Sequence, residues 1–220
     1  MRSVRGAAVV SLSLLAVAVA VIGYLHLTTG ISPVSGMISD YVFTHVGAVL
    51  LPVAVLALAG GLMVLRRGLA ATGVSCRGTG WLLLTAALGA ALIAFFRADP
   101  AGAAPTATGL VHKAAGGLLF GSMPVAGWLL ARRFADRYGW RPLATRVRRL
   151  AVVAGGLFAL FLVTYLPLFG VPLPGGTALV DVQGLAERLV LLPELALVVL
   201  VAVRLTRPVP VWRTPTREVV

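Results

Sequence analysis

FTHVGAVLLPVAVLALAGGLMVL, residues 43–65, decides the fold. These 23 residues hold no charged side chain, and Arg66-Arg67 follows at once. Crossing about 30 Å of hydrocarbon takes roughly 20 apolar residues at ~1.5 Å each. Five further runs read the same way, at about 7–27, 80–96, 110–131, 150–170 and 185–205. The whole chain agrees: mean hydropathy is +0.98, and 12% of residues are charged, where a soluble domain carries about 25%. The expected fold is all-α, an integral membrane bundle of six transmembrane helices filling residues 1–205. Residues 206–220, rich in Pro, Arg and Thr, read as a disordered cytoplasmic tail.

Charge orients the bundle. Sixteen of the 19 basic residues fall in the N-terminus, the second and fourth loops and the tail. Seven of these are Arg132, Arg133, Arg137, Arg141, Arg146, Arg148 and Arg149 in the fourth loop. The other side has Arg97, Lys113 and Arg188. Cytoplasmic loops collect Lys and Arg, so both termini are expected in the cytoplasm. The net charge of +12 is thereby explained by topology and by anionic headgroups, and no nucleic-acid partner is implied. Arginine, alanine, valine, leucine and glycine dominate, which points to a GC-rich coding sequence and a bacterial inner (plasma) membrane. Ala16-Val17-Ala18 looks like a leader cleavage site, but the apolar run continues past it and exceeds the usual leader core of about 7–15 residues. It reads as a retained helix. The single Cys76 excludes an intramolecular disulfide and a cysteine metal cluster.

Within the helices, Gly60-Gly61, Gly89, Gly116-Gly117, Gly121 and Gly155-Gly156 read as surfaces for close helix packing. Pro167, Pro172 and Pro174 are expected to end the fifth helix, and Pro193 to bend the sixth.

The polar chemistry is segregated. All three histidines and five of the seven acids lie on the side away from the arginines or in that half of a helix. Acids contribute little to topology, so insertion does not explain their placement. Asp40, Asp99, His112, Glu187 and Arg188 form the expected core of an outward-facing polar site, with His45 and Glu194 beside them. Glu187 and Glu194 are seven residues apart and share a helix face. Glu194 lies near the midplane, where an ionisable group costs about 2.5–3.5 kcal/mol and needs an interior partner. Arg188 is expected to pair with Asp99, Asp40 or Asp181, or to grip a phosphate or carboxylate headgroup. His26, His45 and His112 come from three helices without metal-binding spacing, so no metal and no cofactor is assigned. Ser32, Ser35 and Ser39 have no Gly-x-Ser-x-Gly frame that would make one of them a nucleophile.

Four short motifs share this side. They are Ile31-Ser32-Pro33 through Ser39-Asp40-Tyr41, Phe95-Phe96-Arg97-Ala98-Asp99-Pro100, Gly109-Leu110-Val111-His112 and Gly184-Leu185-Ala186-Glu187-Arg188. In this order the chain resembles the prokaryotic multi-pass proteins catalogued as domain of unknown function 998. Arg97 stands where many such proteins carry proline. The resemblance implies a six-helix membrane protein and no particular activity. The residues alone leave three readings: binding or transport of a lipid or small solute, an intramembrane enzyme with His112 as base, and a structural or regulatory protein.

Overall fold

The computed structural model describes residues 2–173 and 175–207. The expected tail lies outside them from residue 208 onward, as does Pro174. Every regular element among the described residues is helical. The long helices are α1 (Arg2–Thr28), α2 (Gly47–Ala71), α3 (Arg77–Phe95), α4 (Ala107–Ala135), α5 (Arg141–Val163) and α7 (Gln183–Thr206). The six-residue α6 (Gly176–Asp181) and two 3-10 turns, Ile38–Phe43 and Leu166–Phe169, sit in the connections.

Five helices among the described residues are long and apolar enough to cross a membrane: α1 from Ser3, α2, α3, α4 and α7. The fifth expected run departs from its forecast. Its helix is 23 residues long, but Arg141, Arg146, Arg148 and Arg149 occupy its first turns. It ends at Val163, not near 170. Thr164 closes it by donating its hydroxyl to the Phe161 carbonyl at 2.7 Å. Pro167, which has no N–H to continue a helix, lies in the 3-10 turn that follows. The second run also begins later than its hydropathy suggests, because residues 38–43 form a tight turn of their own.

The long helices make a ring in chain order, α1–α2–α3–α4–α5–α7, closed by α7 against α1. The half nearer the arginines is solid. Leu62, Leu65, Leu69, Leu83, Leu130, Phe134 and Leu205 are all but inaccessible there. Trp140 stacks on Phe134 with ring centroids 4.7 Å apart, and Arg204 lies 4.9 Å over the Trp140 ring.

Glycine sets how closely the helices approach. A Cβ on Gly89 would fall 2.6 Å from the Ala115 carbonyl and 2.9 Å from the Leu119 nitrogen, so α3 and α4 touch backbone to backbone. A Cβ on Gly127 would strike Leu197 and lie 3.0 Å from Ala151. The Ser11 hydroxyl reaches across to the Gly61 carbonyl at 2.9 Å. Gly116, Gly117 and Gly156 differ from the expected packing role: a Cβ on any of them meets nothing within 4 Å.

Gly89→Leu is therefore expected to destabilise the bundle by about 1–3 kcal/mol, since backbone atoms cannot yield as a flexible side chain would. Gly156→Ala should not lower the melting temperature in detergent. Equal melting of the Gly89 variant and the parent would contradict this packing.

Candidate functional site

The end of the ring opposite the arginines is roofed by the α1–α2 connection, residues 29–46. Its conformation is imposed by polar groups at the start of α7. Arg188 donates through Nη1 to the carbonyls of Pro33 (3.1 Å), Gly36 (2.8 Å) and its own helix's Gly184 (2.8 Å). Through Nη2 it donates to the Tyr41 hydroxyl at 2.9 Å. Glu187 Oε2 accepts the Ile38 N–H at 2.6 Å, and the Leu185 N–H reaches the Val34 carbonyl at 2.9 Å. Gly184 is required for this contact, because a Cβ there would run into the Gly36 carbonyl. Each hydrogen bond described for Arg188 thus ends on a neutral oxygen, not on the carboxylates expected from sequence. The guanidinium fork engages backbone carbonyls, exposed at Pro33 and half-buried at Gly36.

Tyr41 is the centre of this arrangement, and it is wholly buried. Its hydroxyl accepts from Arg188, which leaves its own proton for His26 Nδ1 at 3.1 Å. Sequence reasoning noted Tyr41 only as a neighbour of Asp40. A tyrosine in a short connection, flanked by apolar Ile38 and Val42, is the signal that was present.

Asp40 serves the roof locally. Its Oδ2 accepts the Met37 N–H at 2.7 Å. Burial raises its carboxyl above the ordinary range, against the pull of that hydrogen bond and of the Arg188 and His112 charges. Asp99 is fixed by Thr106, which gives it a hydroxyl at 2.6 Å and a backbone N–H at 3.2 Å. The Thr106 hydroxyl bond holds the Asp99 carboxyl below its ordinary range. Slight burial opposes this, and the Thr106 N–H and the charges of Lys113 and His112 support it. Thr106 also caps α4 by accepting the Gly109 N–H at 3.1 Å, and a Cβ on Gly109 would collide with the Asp99 carboxylate.

His112 Nδ1 lies 2.8 Å from the Phe96 carbonyl. A carbonyl only accepts, so Nδ1 carries a proton, and Nε2 is the ring nitrogen that this bond leaves unengaged.

Beneath the roof lies a cavity of about 790 Å³, inside the ~300–1,000 Å³ range of small-molecule sites. Its walls come from every long helix of the ring and are mostly apolar: Ile22, Leu58, Leu119, Phe120, Phe161 and Leu191 among others. Its polar groups gather toward the roof: His26, Tyr41, Asp99, His112, Glu187 and Arg188, with Lys113 at its edge. Four of the expected site residues, Asp99, His112, Glu187 and Arg188, therefore line one space. His112 also lines a second cavity of about 220 Å³, beside Pro52 and Arg97. Asp40 and Glu194 line neither. Exposed His45 sits in the turn before α2 and lines neither. Glu194 is 3% exposed on the interior face of α7, and its Oε1 has no hydrogen-bond partner. Among the described residues no three His, Cys, Asp or Glu side chains are grouped to hold a metal ion.

A multi-pass helical protein with one large apolar cavity under a polar roof is the class these features define. The chain belongs to the family described as Protein of unknown function (DUF998), whose model matches residues 6–204. No curated protein and no solved structure matches it.

Two outcomes are expected of the roof. Arg188→Met should cost roughly 1.5–3 kcal/mol, the scale of a hydrogen bond to a charged group, and should speed hydrogen exchange in residues 31–43. Unchanged exchange there would refute the clamp. Asp40, raised in the folded state, contributes stability that is fully present below its unfolded pKa and is lost as pH rises through its folded value. The stability of the parent relative to Asp40→Asn should therefore fall as pH rises above the ordinary carboxylate value of about 4. A rise there would contradict the assignment.

Proposed function

We propose that this chain is a six-span protein of a bacterial inner membrane, with both termini cytoplasmic, that binds a small amphipathic molecule in its outward-facing cavity. One observation carries the reading. The cavity is apolar below and polar above, and it ends on a solid floor, where Leu62, Leu65, Leu130 and Phe134 are buried. That shape suits a molecule with an apolar body and a polar head. It favours binding over conduction, which needs a path through both halves.

α5 serves as the sixth span. It occupies the ring position between α4 and α7, and a six-member ring of alternating direction puts both termini on one side. Its four N-terminal arginines sit at the headgroup level of the cytoplasmic leaflet, in keeping with the 16-to-3 distribution of basic residues. Glu187 and Arg188 hold the roof, and the site's polar contacts to a ligand come from His112, Lys113 and the accessible edge of Arg188. A second reading, an intramembrane enzyme, rests on His112: with Nδ1 committed to Phe96, Nε2 is placed to take a proton from a bound molecule.

Titration of the purified protein with a fluorescent fatty acid tests binding. Leu191→Trp, which fills the cavity, should weaken binding by about tenfold or more, and Leu160→Trp on the lipid-facing surface should not. Equal affinity in both variants would sink the proposal. Time-dependent hydrolysis of an ester probe, abolished in His112→Gln, would promote the enzyme. Orientation has its own test in Cys76. Burial opposes ionisation of this thiol, but hydrogen bonds with Thr79 and the Arg133 charge outweigh it and bring it below its usual range. It should react readily with a membrane-impermeant maleimide after lysis and not in intact cells. Rapid labelling before lysis would reverse the topology.

A further inference from the structure

We propose that the ligand is a phospholipid of the outer leaflet with an anionic headgroup, and that it enters the cavity sideways between α4 and α5. The proposal rests on the cavity reading above and adds the ligand's class and its route.

The route follows from how α4 and α5 meet. At the arginine end they are in contact: a Cβ on Gly127 would lie 3.0 Å from Ala151, and one on Gly155 3.5 Å from Pro124. A Cβ on Gly121 would lie 3.3 Å from the Phe158 ring, and the Phe120 and Phe161 rings lie 6.2 Å apart, edge to face. One turn further along α4 the contact ends. Gly116 and Gly117 both line the cavity, and a Cβ on either would meet nothing within 4 Å. Across the gap, Leu162 lines the same cavity and is 48% exposed. α5 stops at Val163, so α4 runs on without it.

Depth places this gap in the hydrocarbon. Gly117 is ten residues into α4 and Phe120 thirteen, so the opening extends from the membrane surface to roughly 15–20 Å below it at ~1.5 Å per residue. Half of a ~30 Å core is about the thickness of one leaflet's chains. The polar approach is the covered one: Pro33, Met37, Ile38 and Tyr41 line the cavity from the roof, and α7 clamps that roof through Arg188, Glu187 and Leu185. A cavity roofed over at its polar end and bordered by an unfilled gap at acyl-chain depth suits a membrane lipid, whose chain passes the gap while its headgroup stays at the exposed rim beside Lys113 and Asp99.

The headgroup class follows from Lys113. It is exposed, lines the cavity, and stands one helical turn above Gly117, at the top of the gap. No hydrogen bond or ion pair is described for it. Arg188 lines the same space without a carboxylate among its hydrogen-bond partners. The Asp99 carboxylate lines the same space and feels the Lys113 charge, but its hydrogen bonds go to Thr106; Glu187 accepts from Ile38. An anionic phosphate lying at interface level with its chain through the gap meets cations and an apolar bed in the right order.

Photolabelling of the full chain in phosphatidylcholine vesicles tests this. The probes are phosphatidylglycerol and phosphatidylcholine, each with a diazirine in one acyl chain, and a water-soluble diazirine decanoate. Phosphatidylglycerol should label cavity peptides containing Phe120 or Leu191. That labelling should fall by about tenfold in Gly117→Phe, which plugs the gap, and stay unchanged in Gly156→Phe, which faces lipid elsewhere. Leu162→Trp plugs the gap from the α5 side and serves if Gly117→Phe does not fold. Decanoate should still label the cavity in the plugged variants. Undiminished phosphatidylglycerol labelling with a plugged gap overturns lateral entry. Cavity labelling by decanoate alone overturns the lipid class but leaves the binding site standing, and no cavity labelling by any probe overturns both. Equal labelling by the two phospholipids, or no loss of preference in Lys113→Gln, overturns the anionic headgroup.

Discussion

Backbone groups that leave water must find partners within the protein, and where the α1–α2 connection turns inward at Ile38–Val42 this requirement ties it to α7. The connection after α1 satisfies part of its own backbone, through the side chains of Ser32, Asp40 and Thr44; partners for Pro33, Gly36 and Ile38 must come from elsewhere. Arg188 and Glu187 supply them from α7, the guanidinium taking carbonyls of Pro33 and Gly36 and the carboxylate taking the Ile38 N–H. The first and last long helices are thereby tied at the end where helix packing is loosest. Tyr41, Gly184 and His26 each have their place because of that clamp. A cavity exists below it because the roof is held by hydrogen bonds across the top and not by side chains filling the interior.

The long helices were legible in the sequence because the requirement for them is simple: enough apolar residues, bounded by charge. Boundaries were less legible where tight turns intervene. The second run was expected from Phe43, but Phe43 ends a 3-10 turn and the helix starts at Gly47, and Pro167 lies in the 3-10 turn that follows the fifth helix, which stops short of its hydropathy. Of the polar site, Asp99, His112, Glu187 and Arg188 were legible as a group through their common end of the helices. Their partners were not. An arginine near three aspartates suggests ion pairs, but backbone carbonyls are invisible to a reading of side chains, and it is to them that Arg188 is bound. The glycines illustrate the same limit. Gly89 and Gly127 pack tightly while Gly116 and Gly117 border open space, and composition does not distinguish the two.

The two halves of the bundle differ in a way that bears on function. Near the arginines, aromatic stacking of Phe134 on Trp140 and close-packed leucines leave no room for a ligand. Toward the other end the space widens, and the polar groups thin to a single buried acid, Glu194, beneath it. That carboxyl, with Oε1 unpartnered among apolar neighbours, belongs to the floor and not to the cavity wall. The chemistry exposed to a bound molecule is nearer the roof, where His112 offers one free nitrogen and Lys113 and Arg188 offer charge.

Whether a single amphipathic molecule occupies the cavity is the point on which this reading of the protein turns. Native mass spectrometry of the chain, released from detergent under activation that strips surface lipid, addresses it directly. One acyl-chain lipid should remain bound per chain, and Leu191→Trp should release the chain bare. A parent chain that is bare under conditions where it stays folded, or a ladder of lipids unaffected by filling the cavity, would contradict it.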